Sequence, residues 1–139
     1  MDAMGLMASV FGAGSDQEAA AALGSSDGFP CDVGPTELWE LEGILTSSPA
    51  LGLPSAQYQP VGATEGYECF VIPIGAGLGA SLDAAGEVGR ASAAQRWREN
   101  SVELENWTQE QVQFLVESLH ATLASIALSG DAPYLSVCI

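Results

Sequence analysis

Lysine is absent from this chain of 139 residues, and its only basic residues are three arginines, Arg90, Arg96 and Arg98, set against 18 acids. The formal net charge is -15. A protein that grips nucleic acid needs cations to displace the counterions condensed on phosphate, so the expectation is no nucleic-acid partner. Docking on anionic lipid is disfavoured for the same reason. Long apolar runs are also missing: no stretch approaches the roughly 18 to 20 residues of a membrane helix, and no membrane span is expected. The N-terminal MDAMGLMASVFGAG carries an acid at Asp2 and no basic region, so it does not read as a signal peptide. Synthesis in the cytoplasm, with incorporation into a virion or another large complex, is the compartment this suggests.

Cysteine is scarce and odd in number. Cys31, Cys69 and Cys138 are widely separated, so no disulfide framework is expected, and at least one thiol must be free or paired with another chain. These cysteines and the single histidine, His120, contain no C-x-x-C or H-x-x-x-H pair, so no zinc site is expected. The acids at Glu37, Glu40 and Glu42, and at Glu99, Glu103 and Glu105, lack calcium-loop order and read as solvated faces. His120 is the only available histidine base, yet no G-x-S-x-G or similar nucleophile signature accompanies it.

Small residues are what the chain has in abundance: 21 Ala, 16 Gly and 14 Ser make up more than a third of it. They dominate residues 1–34, where only Leu6, Val10, Phe11, Leu23, Phe29 and Val33 add branched or aromatic bulk. That segment reads as an N-terminal arm, with one short helix from Asp16 to Leu23 capped by Ser15 and Glu18. Residues 35–139 read as a small domain. Leu38, Leu41 and Leu45 mark a helix capped at Thr36 and stopped by Ser47-Ser48-Pro49. Prolines make an extended loop of 50–60. Tyr58–Val61 and Tyr67–Ile74 are spaced to pair as a hairpin, the second being the most strand-like segment of the protein.

A helix over 81–100 is weakened by Gly86 and Gly89. The firmest helix follows Thr108, where Gln111 completes a capping box and Val112, Leu115, Val116, Leu119, Leu123, Ile126 and Ala127 form an apolar stripe. Gly130 and Pro133 end it, and a short strand from Tyr134 to Ile139 closes the chain. The fold class expected is α+β: one small domain with two to three helices packed on a short sheet, preceded by the arm.

Two motifs invite a functional reading. Gly75-Ala76-Gly77-Leu78-Gly79-Ala80 matches the G-x-G-x-x-A dinucleotide fingerprint. It lacks the second parallel strand that completes such a unit, and it reads as a flexible turn, so no cofactor is expected. Arg90, Arg96 and Arg98 cluster around Trp97, and guanidinium forks suit carboxylates, whether on the same chain (Glu87 lies three residues before Arg90) or on a neighbour. The expected function is a non-enzymatic structural or interaction subunit of a larger assembly, for example a virion shell or tail component. Its partner contacts would come from Leu6, Val10 and Phe11 of the arm and from Arg90, Arg96, Trp97 and Arg98. The alternative is a soluble acidic adaptor, chaperone or inhibitor that occupies a basic surface of a partner protein.

Overall fold

A computed structural model describes residues 7–23, 28–46, 60–74 and 77–138. In chain order the elements are β1 (Met7–Ala13), α1 (Asp16–Ala21), β2 (Phe29–Pro30), α2 (Pro35–Thr46), β3 (Gly62–Ala63), β4 (Cys69–Pro73), α3 (Gly77–Asn100), α4 (Gln109–Leu128) and β5 (Ala132–Cys138). The strands form one antiparallel sheet in the order β2-β1-β5-β4-β3. This is the small α+β domain that the sequence leads one to expect.

The centre of the sheet is the surprise. The segment expected to be an arm supplies β1, which pairs with β5 over its whole length, from Met7 opposite Cys138 to Ala13 opposite Ala132. Alternation decides this, although small side chains hide it from a reading of bulk alone. Ala8 and Val10 point to the same face as Leu135 and Val137, and all four are buried in the main core. Phe11 and Ala13 point to the opposite face, where Phe11 stacks on Tyr134 at 5.9 Å and both join a second cluster with Ala19 of α1 and Val71 of β4. The arm is therefore corrected to a core strand, a helix and an edge strand. Leu6 lies outside the described residues.

α4 lies on the main-core face of β1 and β5, α3 packs on α4, and α2 packs on α3. The capping box at the start of α4 is complete: Thr108 Oγ1 accepts from the Gln111 amide at 3.0 Å, and Gln111 Oε1 accepts from the Thr108 amide at 2.8 Å. Val112, Leu115, Val116, Leu119 and Leu123 of its stripe are buried. α2 begins at Pro35, one residue earlier than its expected cap at Thr36, with Glu37 reaching back to the Gly34 amide at 2.8 Å. α3 starts at Gly77 instead of 81 and breaks at Gly86, whose φ of 70° is left-handed. The hairpin forms, but its first strand is Gly62–Ala63; Tyr58 and the loop over 50–59 lie outside the described residues.

Cys69 and Cys138, directly opposite on β4 and β5, form a disulfide, which corrects the expectation from cysteine spacing. Cys69 gives its amide to Thr64 Oγ1 and its carbonyl to the Thr64 amide, so it exchanges no backbone bond with Cys138. Antiparallel pairs without such bonds bring side chains closest together. Cys31 is the buried free thiol. On unfolding without reductant the chain should therefore titrate one thiol, and three after reduction. A C69S/C138S variant, which opens a loop of 69 residues, should lose about 4 kcal/mol in denaturant unfolding.

Tyr134 provides a second test. Its hydroxyl donates to Asp16 Oδ1 at 2.6 Å, and burial, then that hydrogen bond, pushes its pKa up to about 12. The folded protein thus holds the phenol protonated more tightly than the unfolded chain does. The resulting stability is present below about pH 10, the ordinary tyrosine value, and is lost as pH rises through about 12. A pH titration of unfolding should show that decline, and Y134F should lack it.

Candidate functional site

The residues expected to meet a partner are mostly turned inward. Val10 and Trp97 are completely buried and Phe11 is half-buried. Arg90 is paired, but with Glu117 of α4 at 2.9 Å and not with Glu87; its Nη1 also donates to the Leu82 carbonyl at 3.1 Å, spanning the break at Gly86. Arg98 donates from Nε to the Trp107 carbonyl in the turn before α4. Two of the three arginines therefore hold α3 to α4 and to the connection between them. Arg96 alone of the cluster is exposed. The expected patch of Arg90, Arg96, Trp97 and Arg98 does not form a continuous surface, because a helix places residues six and eight apart on different flanks.

The glycine fingerprint is likewise reassigned. Gly75 and Ala76 lie outside the described residues, Leu78 is buried, and every strand pairing among the described residues is antiparallel, so no βαβ unit surrounds it. A Cβ at Gly77 would stand 2.7 Å from Glu42 Oε2, which places a carboxylate at the start of α3 where a dinucleotide fingerprint would place phosphate. His120 Nε2 lies 3.1 Å from Asp83 Oδ1 and joins the same α3–α4 seam as Arg90 and Glu117. No group of three metal-ligating side chains occurs among the described residues. No described helix is long and apolar enough to cross a membrane.

A different concavity gathers aromatic and acidic side chains. β2 and the residues after it form one wall of a cleft of about 820 Å3, through Phe29, Pro30 and Asp32; Trp107, Glu110 and Phe114 form the other. The first wall owes its shape to an irregular backbone. The amides of Cys31 and Asp32 both donate to the Ala8 carbonyl, at 2.9 and 3.3 Å, so two residues oppose one as in a β-bulge. Asp32 adopts a φ of 58°, a left-handed conformation that aspartate tolerates better than most residues but that still costs roughly 1 kcal/mol or more. The bulge leaves Asp32 exposed at the rim while Cys31 turns into the core. There the Cys31 thiol donates to the Val33 carbonyl, and burial pushes its pKa up to about 11, so it is not a nucleophile at neutral pH.

The second wall is set by the start of α4. Trp107 packs partly against the main core, and the Arg98 guanidinium fixes its backbone. Phe114 is 70% exposed, unusual for phenylalanine in a chain with so few aromatics. It falls off the apolar stripe of α4, on the flank that faces β2. The cleft lining includes two carboxylates, Asp32 and Glu110, and no arginine side chain. Another hollow, of about 690 Å3 between α3 and α4, is lined chiefly by Gly79, alanines, Leu123 and Leu128, and its Asp83 is already held by His120.

No protein-family model matches the chain, and no curated protein or solved structure matches it.

The corrected roles of the arginine cluster separate its members in a denaturation experiment. W97A should lose about 3–5 kcal/mol, the cost of emptying a fully buried indole site. R98A should lose about 1–2 kcal/mol by orphaning the Trp107 carbonyl, and R96A should stay within about 0.5 kcal/mol of the parent. Equal, small effects at all three positions would return the cluster to the surface.

Proposed function

We propose that the protein is a non-enzymatic interaction subunit that accepts a basic segment of a partner protein in the cleft between the Phe29–Asp32 wall and the start of α4. The observation that carries this reading is the convergence of Phe29, Trp107 and Phe114 with Asp32 and Glu110. An arginine of the partner would lay its planar guanidinium on the exposed ring face of Phe114 or Trp107, and the carboxylates would take its N–H donors. Aromatic faces and carboxylates both favour a cation, and neither favours an anion.

The charge of the whole chain acts in the same direction. A net charge of -15 without lysine extends a negative field that concentrates basic partners near the surface and repels nucleic acid and further copies of an acidic protein. This keeps the protein in the class of assembly or adaptor subunits, the virion component included, and moves the contact from arm and arginine cluster to the cleft. Of the two roles, occupation of a basic surface is the one that the cleft favours.

Calorimetric titration with an arginine-rich peptide tests the proposal. Binding should weaken as salt is raised from low to physiological concentration. D32N/E110Q should weaken it about thirtyfold or more, since each of the two lost charge-assisted contacts is worth about 1 kcal/mol or more in a partly exposed site; asparagine tolerates the left-handed backbone at position 32. F114A should cost about two- to fivefold with unchanged melting temperature. Absence of binding at low salt, or affinity indifferent to D32N/E110Q, would remove the proposal.

A further inference from the structure

The cleft does not end at Phe29. That ring also lines a second hollow of about 560 Å3, bounded by Gly12, Gly28, Thr122 and Ile126, so the two concavities share a wall. Residues 28–32 run alongside α4 in the opposite sense: Asp32 shares the cleft with Glu110, and Gly28 shares the hollow with Thr122 and Ile126. Together they make one groove between the β2 edge of the sheet and the outer flank of α4.

The two ends of this groove differ chemically. The cleft end has aromatic rings and two carboxylates; the hollow has no charged lining residue. Glycine lets the walls of the far end pack closely on β1. Gly28 holds a φ of 110°, and a Cβ there would meet the Val10 carbonyl oxygen at 2.5 Å, so the chain before Phe29 lies directly against the β1 backbone. Gly12 allows Ile126 to lie against β1, since a Cβ would meet Ile126 at 2.9 Å.

We infer that the groove selects an extended segment carrying a basic residue and, about five positions away, a bulky apolar residue, the first seated at Asp32 and Glu110 and the second at Gly28 and Ile126. This rests on the reading of the cleft as a basic-segment site and adds the second anchor and the spacing. The α4 residues lining the two ends, Glu110 to Leu115 and Ala121 to Ile126, are centred roughly 11 residues apart, or roughly 16 Å at about 1.5 Å per residue of helix. An extended peptide advances about 3.3 Å per residue, which converts that separation to about five residues. Charge complementarity names the occupant: a segment both basic and apolar matches the groove end for end, whereas a second copy of a lysine-free chain of charge -15 would bring acid to acid.

The test is a nuclear magnetic resonance titration of the full chain with acetylated Gly/Ser peptides holding one arginine and one leucine, their separation varied from about three to eight in both sequence orders. The optimum should fall near five, with affinity about tenfold above an arginine-only peptide, the gain expected from partial burial of a leucine. Shifts should appear at both the Trp107 indole and the Ile126 methyls. Ala121→Trp, at an exposed position on the rim, should abolish the gain and leave arginine-only affinity unchanged. Arginine peptides that bind with no dependence on spacing would overturn this inference and leave the cleft reading standing. Failure of every arginine peptide would overturn both. A leucine-only peptide binding as tightly as the paired one, or a dimer in light scattering that the paired peptide dissociates, would also overturn it.

Discussion

The antiparallel pairing of β1 with β5 is the interaction on which the rest of this molecule depends. It joins residues 7–13 to residues 132–138 and places both strands inside the sheet, β1 between β2 and β5, and β5 between β1 and β4. Its parity divides the interior. Val10, Leu135 and Val137 face the three long helices, while Phe11 and Tyr134 face α1. A slip of one residue would exchange the two faces and bury the wrong set. The disulfide fixes β5 to β4 at the Met7 end, and Tyr134 anchors the other end to α1 through Asp16. Such pairing between the two ends of the chain imposes a large loop-closure cost before it is rewarded, so assembly of the sheet is expected to be the slow step of folding.

Both walls of the cleft take their position from β1. The Phe29 wall hangs on it through the pairing of β2 and the shared Ala8 carbonyl, and α4 carries the opposing wall while packing on β1 and β5 from one side. The cleft is therefore a consequence of how an edge strand and a helix leave the same central strand. Its separation is set by the core residues beneath, Leu115 and Cys31, which line its floor. A cleft referenced to one rigid element retains its geometry better than one built on two independent loops.

What the sequence discloses follows the range over which each feature is encoded. The capping box at Thr108 and Gln111, the stripe of α4 and the strand-like 69–73 segment are written in consecutive residues, and the structure contains them. β1 is hard to discern in the sequence because Ala8 and Ala13 do in a sheet what valine usually does, so its alternation lies in small side chains and is invisible to a count of bulk. The arginines are neighbours in sequence, yet Arg90 finds its partner 27 residues away and Arg98 reaches a carbonyl across a turn. The cleft was the least legible feature, as its walls are about 80 residues apart in sequence. One trace of it was local: Phe114 breaks the pattern of α4, an apolar side chain on a polar flank.

The use of positive charge connects stability with recognition. Eighteen acids repel one another in the compact state, and the molecule spends two of its three cations inside, one in the α3–α4 seam and one on the turn that joins these helices. Arg90 neutralises Glu117 and bridges the broken helix, and Arg98 holds the turn that presents Trp107. One arginine, Arg96, then remains at the surface to offset the acids, so little of their mutual repulsion is relieved. A basic segment laid in the groove would supply the missing charge. Binding to the folded state alone would then raise stability by linkage, and neutralising the field would add to it. The lysine-free composition thus imposes a single physical condition: the same imbalance that weakens the fold would favour a basic partner of the kind proposed.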